Sequence, residues 1–369
     1  MDLQTKCEEC GADLSFKPGT KHLTCTYCDH KMAFAEAESI DQAHTELNLD
    51  DYIDNFDANT QHIERHVVDC QGCGAETELE ENQQSALCPF CDAPLILQQS
   101  CTKKTLKPAG VLPFSVEKSQ ARENFKQWLS KLWFAPNDLK KQITQQDKFK
   151  GIYLPFWTYD CDTYSYYTGQ RGIYYYETVS RTDSDGNTTS KEERRTRWSY
   201  VSGEVYNSFD DILVPASNSL AQDKLNALEP WDLHQLVDYK DEYLSGYLTE
   251  TYQVSLRSGY ESAKNTMDSR IHREIERHIG GDDQQVDSVE TRYMDATFKH
   301  ILLPVWISAY RYRDKLYQIL VNARTGEVQG MRPYSWIKIT LAIIVLLAVV
   351  SVLVYFFMLE PEAERIDSL

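Results

Sequence analysis

"CEECGADLSFKPGTKHLTCTYC", residues 7–28, and "CQGCGAETELEENQQSALCPFC", residues 70–91, are two versions of one device. The cysteines stand at 7, 10, 25 and 28, then at 70, 73, 88 and 91, each displaced by 63 positions. A CxxC knuckle puts two thiolates on one tight turn, and two knuckles joined by a hairpin complete a tetrahedral shell. Gly11-Ala12 and Gly74-Ala75 follow the first knuckles; glycine can take the positive φ that wraps a turn around sulfur. Each unit closes as Cys-x-aromatic-Cys-Asp, with Tyr27 or Phe90 inside the knuckle. The final aspartate tolerates left-handed backbone better than most residues. Apolar residues then recur at matching places, Met32 and Phe34 in one copy, Leu95 and Leu97 in the other.

A unit of about 30 residues cannot bury a core sufficient to fold alone. Metal supplies the deficit, on the order of 10 kcal/mol per site. Two structural zinc ions are therefore expected, one on Cys7, Cys10, Cys25 and Cys28, the other on Cys70, Cys73, Cys88 and Cys91. A rubredoxin-like iron site would use the same ligands. A catalytic zinc needs an open position, which four thiolates do not leave. Thiolates also imply a reducing compartment rather than a disulfide framework.

The far end of the chain has a different chemistry. Residues 339–359 are 21 positions without a charge, about 31 Å of helix against a bilayer core about 30 Å thick. Arg324, Arg332 and Lys338 precede this span and only Arg365 follows it. The positive-inside rule then puts the N-terminal body in the cytoplasm and residues 360–369 outside. The expected protein is tail-anchored and single-pass in the inner (cytoplasmic) membrane.

Between these ends the texture changes several times. Residues 1–34 form zinc ribbon 1, and residues 35–69 read as a partly helical acidic spacer with ten acids and one base, Arg65. Ribbon 2 occupies 70–98. Residues 101–150 reverse the sign, with eleven Lys/Arg against four acids, and Ala121, Phe125, Trp128, Leu129, Leu132 and Trp133 recur at helical spacing. Residues 151–335 are rich in aromatic and β-branched runs. Within them, 181–197 reads as a polar hairpin loop. Tyr260, Ala263, Met267, Ile271 and Ile275 mark one face of a helix that Gly280-Gly281 stops. The expected class is α+β: two N-terminal ribbons, an antiparallel β-rich domain with helices, and one transmembrane helix. "YLPFWTY" (153–159) resembles "LLPVWIS" (302–308). Either two sheet-edge strands start alike, since proline is tolerated there, or the domain arose by duplication.

The formal net charge is −18, and such a field repels polyanions. Ribbon 1 carries four lysines against five acids and ribbon 2 no Lys or Arg, a poor grip on phosphate. Only the basic 101–150 stretch offers a polyanion surface, and its other reading is a solvated face balancing the spacer. No GxxxxGK[ST], GxSxG or HExxH occurs. Asp210-Asp211 and Asp282-Asp283 read as solvated loop acids, and Cys101 and Cys161 stand alone. No catalytic residue, small-molecule substrate or enzyme activity is expected.

Two ribbons followed by "GIYLPFWTYDCDTYSYYTGQRG", "RHIGGDDQQV", "TFKHILLPVWISAYRY" and one apolar helix resemble a bacterial family. Its members are described as transcription-factor-IIB-type zinc-ribbon membrane proteins, sometimes mislabelled primosomal protein N′-like helicases. The resemblance implies the eight cysteine ligands already given. It also implies partners, because members are often encoded beside phage-shock-protein-A-like and SPFH proteins. A role in membrane maintenance or stress response follows from it. The helicase label does not, for want of a nucleotide-binding loop. The expected function is a membrane-anchored adaptor whose ribbon pair, joined by a flexible spacer, docks a multimeric membrane-associated protein. The alternative is a membrane-tethered nucleic-acid-binding protein.

Overall fold

A computed structural model of the protein describes residues 6–34, 43–54, 62–78, 86–96, 100–136, 149–182, 188–312, 315–331 and 334–363. It is an α+β protein with a large, mostly antiparallel sheet, two cysteine clusters near the N-terminus and one C-terminal apolar helix.

The first ribbon is its own three-stranded sheet, β1 (Leu14–Phe16), β2 (His22–Cys25) and β3 (Lys31–Ala33). The acidic stretch after it is no loose tether in its described parts. It supplies β4 (Leu47–Asn48), α1 (Leu49–Asp54) and β5 (His62–Asp69). The second ribbon lends β6 (Glu76–Glu78) to the large sheet and keeps a short hairpin, β7 (Ala86–Leu87) and β8 (Pro94–Leu95). The basic stretch contains β9 (Cys101–Leu106), β10 (Gly110–Val111) and one helix, α2 (Lys118–Lys131). Residues 137–148 lie outside the described residues. The hairpin of β11 (Lys150–Thr182) and β12 (Thr188–Pro215) follows. After it come α3 (Gln222–Asn226), β13 (Val237–Asp238), β14 (Leu248–Glu250) and α4 (Leu256–Ile279). The chain closes with β15 (Asp283–Tyr312), β16 (Lys315–Asn322), β17 (Val328–Gly330) and α5 (Trp336–Ala363).

The two Leu-Pro motifs do not open edge strands, as one reading expected; they lie inside the two longest strands and face each other. β11 and β15 are antiparallel, with Leu154 opposite Leu303, Tyr153 opposite Pro304 and Pro155 opposite Leu302. A local twofold runs through that point. β10 adds to β15 in parallel (Val111 opposite Leu302) as β14 adds to β11 (Thr249 opposite Tyr153). Trp306 Nε1 donates to the Val116 carbonyl at 2.8 Å, just before α2. Trp157 Nε1 donates to the Val254 carbonyl at 3.0 Å, just before α4. The amides of Ser115 and Val116 converge on the Ala323 carbonyl, and those of Gln253 and Val254 on the Ala216 carbonyl. So many matched bonds are what a duplicated βαββ unit leaves, and they favour the duplication reading. They also explain the prolines. The Pro155 carbonyl accepts from Ala216, and the Pro304 carbonyl from Ala323. Each missing N–H faces the same way, where the neighbouring strand has run out.

α2 and α4 cover one face of this sheet. α4 buries Ala263, Met267, Ile271, Ile275 and Ile279, as its periodicity predicts, and ends at Gly280 with φ of 64°. At its N-terminal turn α4 approaches β11 most closely: a Cβ on Gly259 would stand 2.9 Å from Trp157 and nearer still to the Tyr159 hydroxyl. The expected polar loop at 181–197 is mostly strand. Thr182 pairs with Thr188 and the ladder runs unbroken to Cys161 opposite Phe209; the centre, 183–187, lies outside the described residues. β15 accompanies the hairpin only as far as Asp283 opposite Gly172. Beyond, β11 and β12 form a two-stranded ribbon held by an Arg195–Glu177 ion pair at 2.7 Å. Arg194 lies 4.3 Å over the Tyr174 ring and Arg197 5.3 Å over Tyr175.

The segment carrying α1 is pinned to β15 by Phe298 opposite Leu47, with the Tyr52 ring edge-on to Phe298 at 5.1 Å. The Glu46 carboxylate accepts from the buried Lys299 ammonium at 3.1 Å, and Asp211 takes its other side at 2.9 Å. Burial and a hydrogen bond with Glu46 push Asp160, in the β11 bulge, up to about 7. Burial opposes ionisation of Glu46 too, but its bonds with Asp160, Thr297 and Lys299 hold it down at about 2.

Two predictions follow from these contacts. Gly259→Ala forces α4 off β11 and destabilises the protein by about 1–3 kcal/mol in denaturant unfolding. Asp160 keeps its proton when folded after the unfolded chain has lost its own. Stability therefore falls as pH rises from about 4 towards 7. Asp160→Asn flattens the melting-temperature profile in that window, whereas Glu46 acts only below it.

Candidate metal centres

Each centre is built from two knuckles with the same two backbone bonds. The amide four residues after the first cysteine of a knuckle donates back to its carbonyl: Gly11 to Cys7 and Gly74 to Cys70 at 2.8 Å, Asp29 to Cys25 at 3.2 Å, Asp92 to Cys88 at 3.0 Å. The first cysteine's own amide donates to the residue five ahead, Ala12, Ala75, His30 or Ala93. Such a loop needs a left-handed residue, and the sequence provides one each time. Gly11 and Gly74 have φ of 71° and 76°, Asp29 and Asp92 of 58° and 62°.

These turns bring the eight predicted cysteines into two groups of four, with the sulfurs of each group all within 4.8 Å of one another. Cys7–Cys28 is 3.6 Å, Cys10–Cys25 and Cys10–Cys28 are 3.5 Å, Cys70–Cys91 is 3.5 Å and Cys73–Cys88 is 3.6 Å. A tetrahedron with zinc–sulfur bonds of about 2.3 Å has edges of about 3.8 Å. The spacing fits that shell and lies far beyond an S–S bond of about 2.05 Å. Amides of Cys28 and Tyr27 point at the Cys25 sulfur and bring its thiol down to about 6. The hydrogen bond from Cys88 brings Cys73 down to about 5, and the same bond pushes the Cys88 thiol up. Thiolate is the form that binds metal. Both centres can hold zinc, and all four positions are filled by protein.

The ribbons are not free modules. Leu14, Phe16 and Leu23 of the first join a core with α2, Tyr153 and Trp306, and Phe16 meets the Tyr243 ring edge-on at 5.3 Å. The Ser245 hydroxyl donates to the Leu14 carbonyl at 2.7 Å. Phe90, Cys88 and Leu95 of the second pack with Leu154, Leu303 and Leu320. Tyr153 and Leu154 point to opposite faces of β11, so each face of the sheet carries one ribbon. Met32 and Phe34 pack against the first core as expected; Leu97 lies outside the described residues.

Of the remaining candidates, Cys101 is exposed and Cys161 buried. Asp282 accepts from the Tyr174 amide at 2.8 Å, ending β15's run along the hairpin. Glu46, Asp160 and Asp210 bring carboxylate oxygens within 4.8 Å of one another, with the Lys299 ammonium bound to Glu46. Nothing local in the sequence announces that group, which is gathered from β11, β12 and the residue just before β4.

No family model matches the chain, and no solved structure matches it. It is similar to the uncharacterized protein YdjG of Bacillus subtilis. The two are 26% identical over 354 residues, a span that covers 91% of each chain.

The purified protein should bind two metal ions, colourless if zinc, by elemental analysis and absorbance. Cys70→Ser should hold one, because the first knuckle pair is complete without it. The same variant should melt earlier, since Phe90 and Leu95 then lose their anchor on the sheet.

Proposed function

We propose that the chain is a membrane-anchored zinc-ribbon adaptor at the cytoplasmic face of the inner membrane. It has no chemistry of its own in this reading, and both zinc ions are structural. Its partner class, by the family resemblance, is an SPFH-type or phage-shock-A-type assembly serving membrane maintenance or stress response. α5 supports the anchoring: residues Trp336–Tyr355 are apolar, long enough to span, and none of that window is buried against the body. For orientation, Arg324 is folded into the body, bonded to the Pro113 carbonyl at 3.1 Å. The flanking charges that favour a cytoplasmic body are then Arg332 and Lys338.

The observation that carries the adaptor reading is the outward face of the arm, the β11–β12 hairpin beyond Cys161 and Phe209, which β15 accompanies as far as Gly172. Thr163, Ser165 and Tyr167 of β11 are buried on the α4 side. The alternate residues face away, and among the described residues no helix covers them. Tyr164, Tyr166 and Tyr176 of β11 are exposed there, with Trp198, Tyr200 and Tyr206 of β12. Several exposed aromatic residues on one face, interspersed with polar ones such as Glu204 and Thr168, are the kind of surface that proteins use for binding. With the ribbons packed into the body, this arm replaces them as the docking surface.

The test is affinity capture from membranes with the full chain and with Tyr166→Ser/Tyr200→Ser/Tyr206→Ser. The variant should insert, bind two metals and lose an SPFH-type or phage-shock-A-type protein that the unmodified chain retains. Sub-micromolar nucleic-acid binding at physiological salt, with no membrane protein captured, would replace this reading by the nucleic-acid one.

A further inference from the structure

The last turn of α2 lies against the first turn of α5, some 200 residues later in the chain. α2 is an amphipathic helix: Ala121, Phe125 and Leu129 are buried in the first core, while Lys126, Lys131 and half-buried Arg122 lie outside it with one acid, Glu123, 3.9 Å from Lys126. It ends at a tight turn, with the Leu132 amide bonded to the Leu129 carbonyl and Ala135 to Leu132. Leu132 and Ala135 point inward and are buried, at 7% and 2% exposure. The two residues between them point outward: Trp133 is 77% exposed and Phe134 39%.

The carbonyls of this turn are where the body holds the membrane helix. Ser335 donates its amide to the Phe134 carbonyl at 2.7 Å. The Lys338 ammonium donates to the carbonyls of Ala135 at 2.8 Å and Trp133 at 3.1 Å. Trp133 and Phe134 are thereby fixed within one hydrogen bond of the residues that open α5. Tyr334 and Trp336, at 55% and 79% exposure, stand at the same level. Four aromatic side chains from two distant parts of the sequence thus ring the start of one apolar helix. Tryptophan and tyrosine concentrate at the bilayer–water boundary, where an apolar ring with a polar edge is best solvated.

We propose that the α2 turn, Lys131–Ala135, is a second membrane contact, with Trp133 and Phe134 seated in the phospholipid interface beside the point where α5 enters. The inference rests on α5 spanning the membrane. It goes further in assigning the soluble body a fixed footing rather than a free tether. Two features point to lipid rather than to a protein partner. The patch is continuous with the apolar helix, and the basic outer side of α2 suits anionic headgroups in a chain of net charge −18. α5 cannot leave the turn without releasing three bonds to its carbonyls, two from Lys338 and one from Ser335, so helix and footing move together.

The test uses the full chain labelled with fluorotryptophan in nanodiscs of phosphatidylethanolamine and phosphatidylglycerol. Trp133→Phe and Trp336→Phe assign the two resonances by fluorine NMR. Adding a phospholipid spin-labelled near its headgroup should remove most of the Trp133 and Trp336 signal. The buried Trp157 and the arm's Trp198 should keep theirs. If Trp336 is lost and Trp133 persists, the helix spans but the footing is refuted. If both persist, the spanning reading fails with it. Trp133 is largely solvent-exposed, so its substitution leaves the fold, and the other resonances, in place.

Discussion

The pairing of Leu154 with Leu303 is the constraint on which the rest of the molecule depends. It sets two long strands antiparallel about a local twofold. From that point each strand receives a short parallel neighbour, a helix anchored by a tryptophan–carbonyl bond, and a hairpin partner. The central residues are buried on both faces, so a shift of register by one would exchange two cores at once. That double burial is also why this stretch of β11 reads as a near-continuous apolar run rather than an alternation.

A sheet buried on both faces needs a cover on each side, and α2 and α4 lie on the same one. The other side is served by the segment around Leu220–Leu236 and by the second ribbon. Ribbon 1 fills the remaining space beside α2. This changes what the repeated cysteine device does. Two metal centres in tandem suggest two recognition modules on a flexible string. In the folded protein each cluster sits in a small apolar cover packed on the sheet, and metal bound there would rigidify a unit too small to hold its shape alone. The stretch between them crosses from one face to the other, contributing β5 to the sheet on the way.

What could be read from the sequence follows the range of each interaction. The knuckles are local, and Gly11, Gly74, Asp29 and Asp92 take the left-handed conformation that their residue types suggest. The face of α4 and its glycine stop are equally local. The arm was misread for a physical reason. Residues such as Lys191, Glu192, Glu193 and Arg194 lie on a ribbon with water on both sides, so no burial imposes alternation. Its strands are held by cross-strand charge and ring pairs that single-chain patterns do not reveal. The Glu46–Asp160–Lys299 cluster escaped for the opposite reason, being assembled entirely by long-range pairing.

The twofold also explains why the two special ends of this protein are where they are. The C-terminal end of α4 lies beside the base of the arm, where Arg171 bonds to the Ile279 carbonyl and β15 meets Gly172. The C-terminal end of α2 lies beside the start of α5. These are equivalent places in the two halves, and an antiparallel twofold sends equivalent places to opposite ends. Leu154 and Gly172 are separated by about 60 Å of strand at about 3.3 Å per residue. The two halves therefore carry their additions at opposite ends: one has the short β15–β16 hairpin and the apolar helix α5, the other the long β11–β12 hairpin with its exposed aromatic residues. If α5 spans a bilayer as proposed, a partner gripping the arm would be held away from it by the length of the β11–β15 ladder, and a footing at α2 would fix the angle at which that ladder leaves the surface.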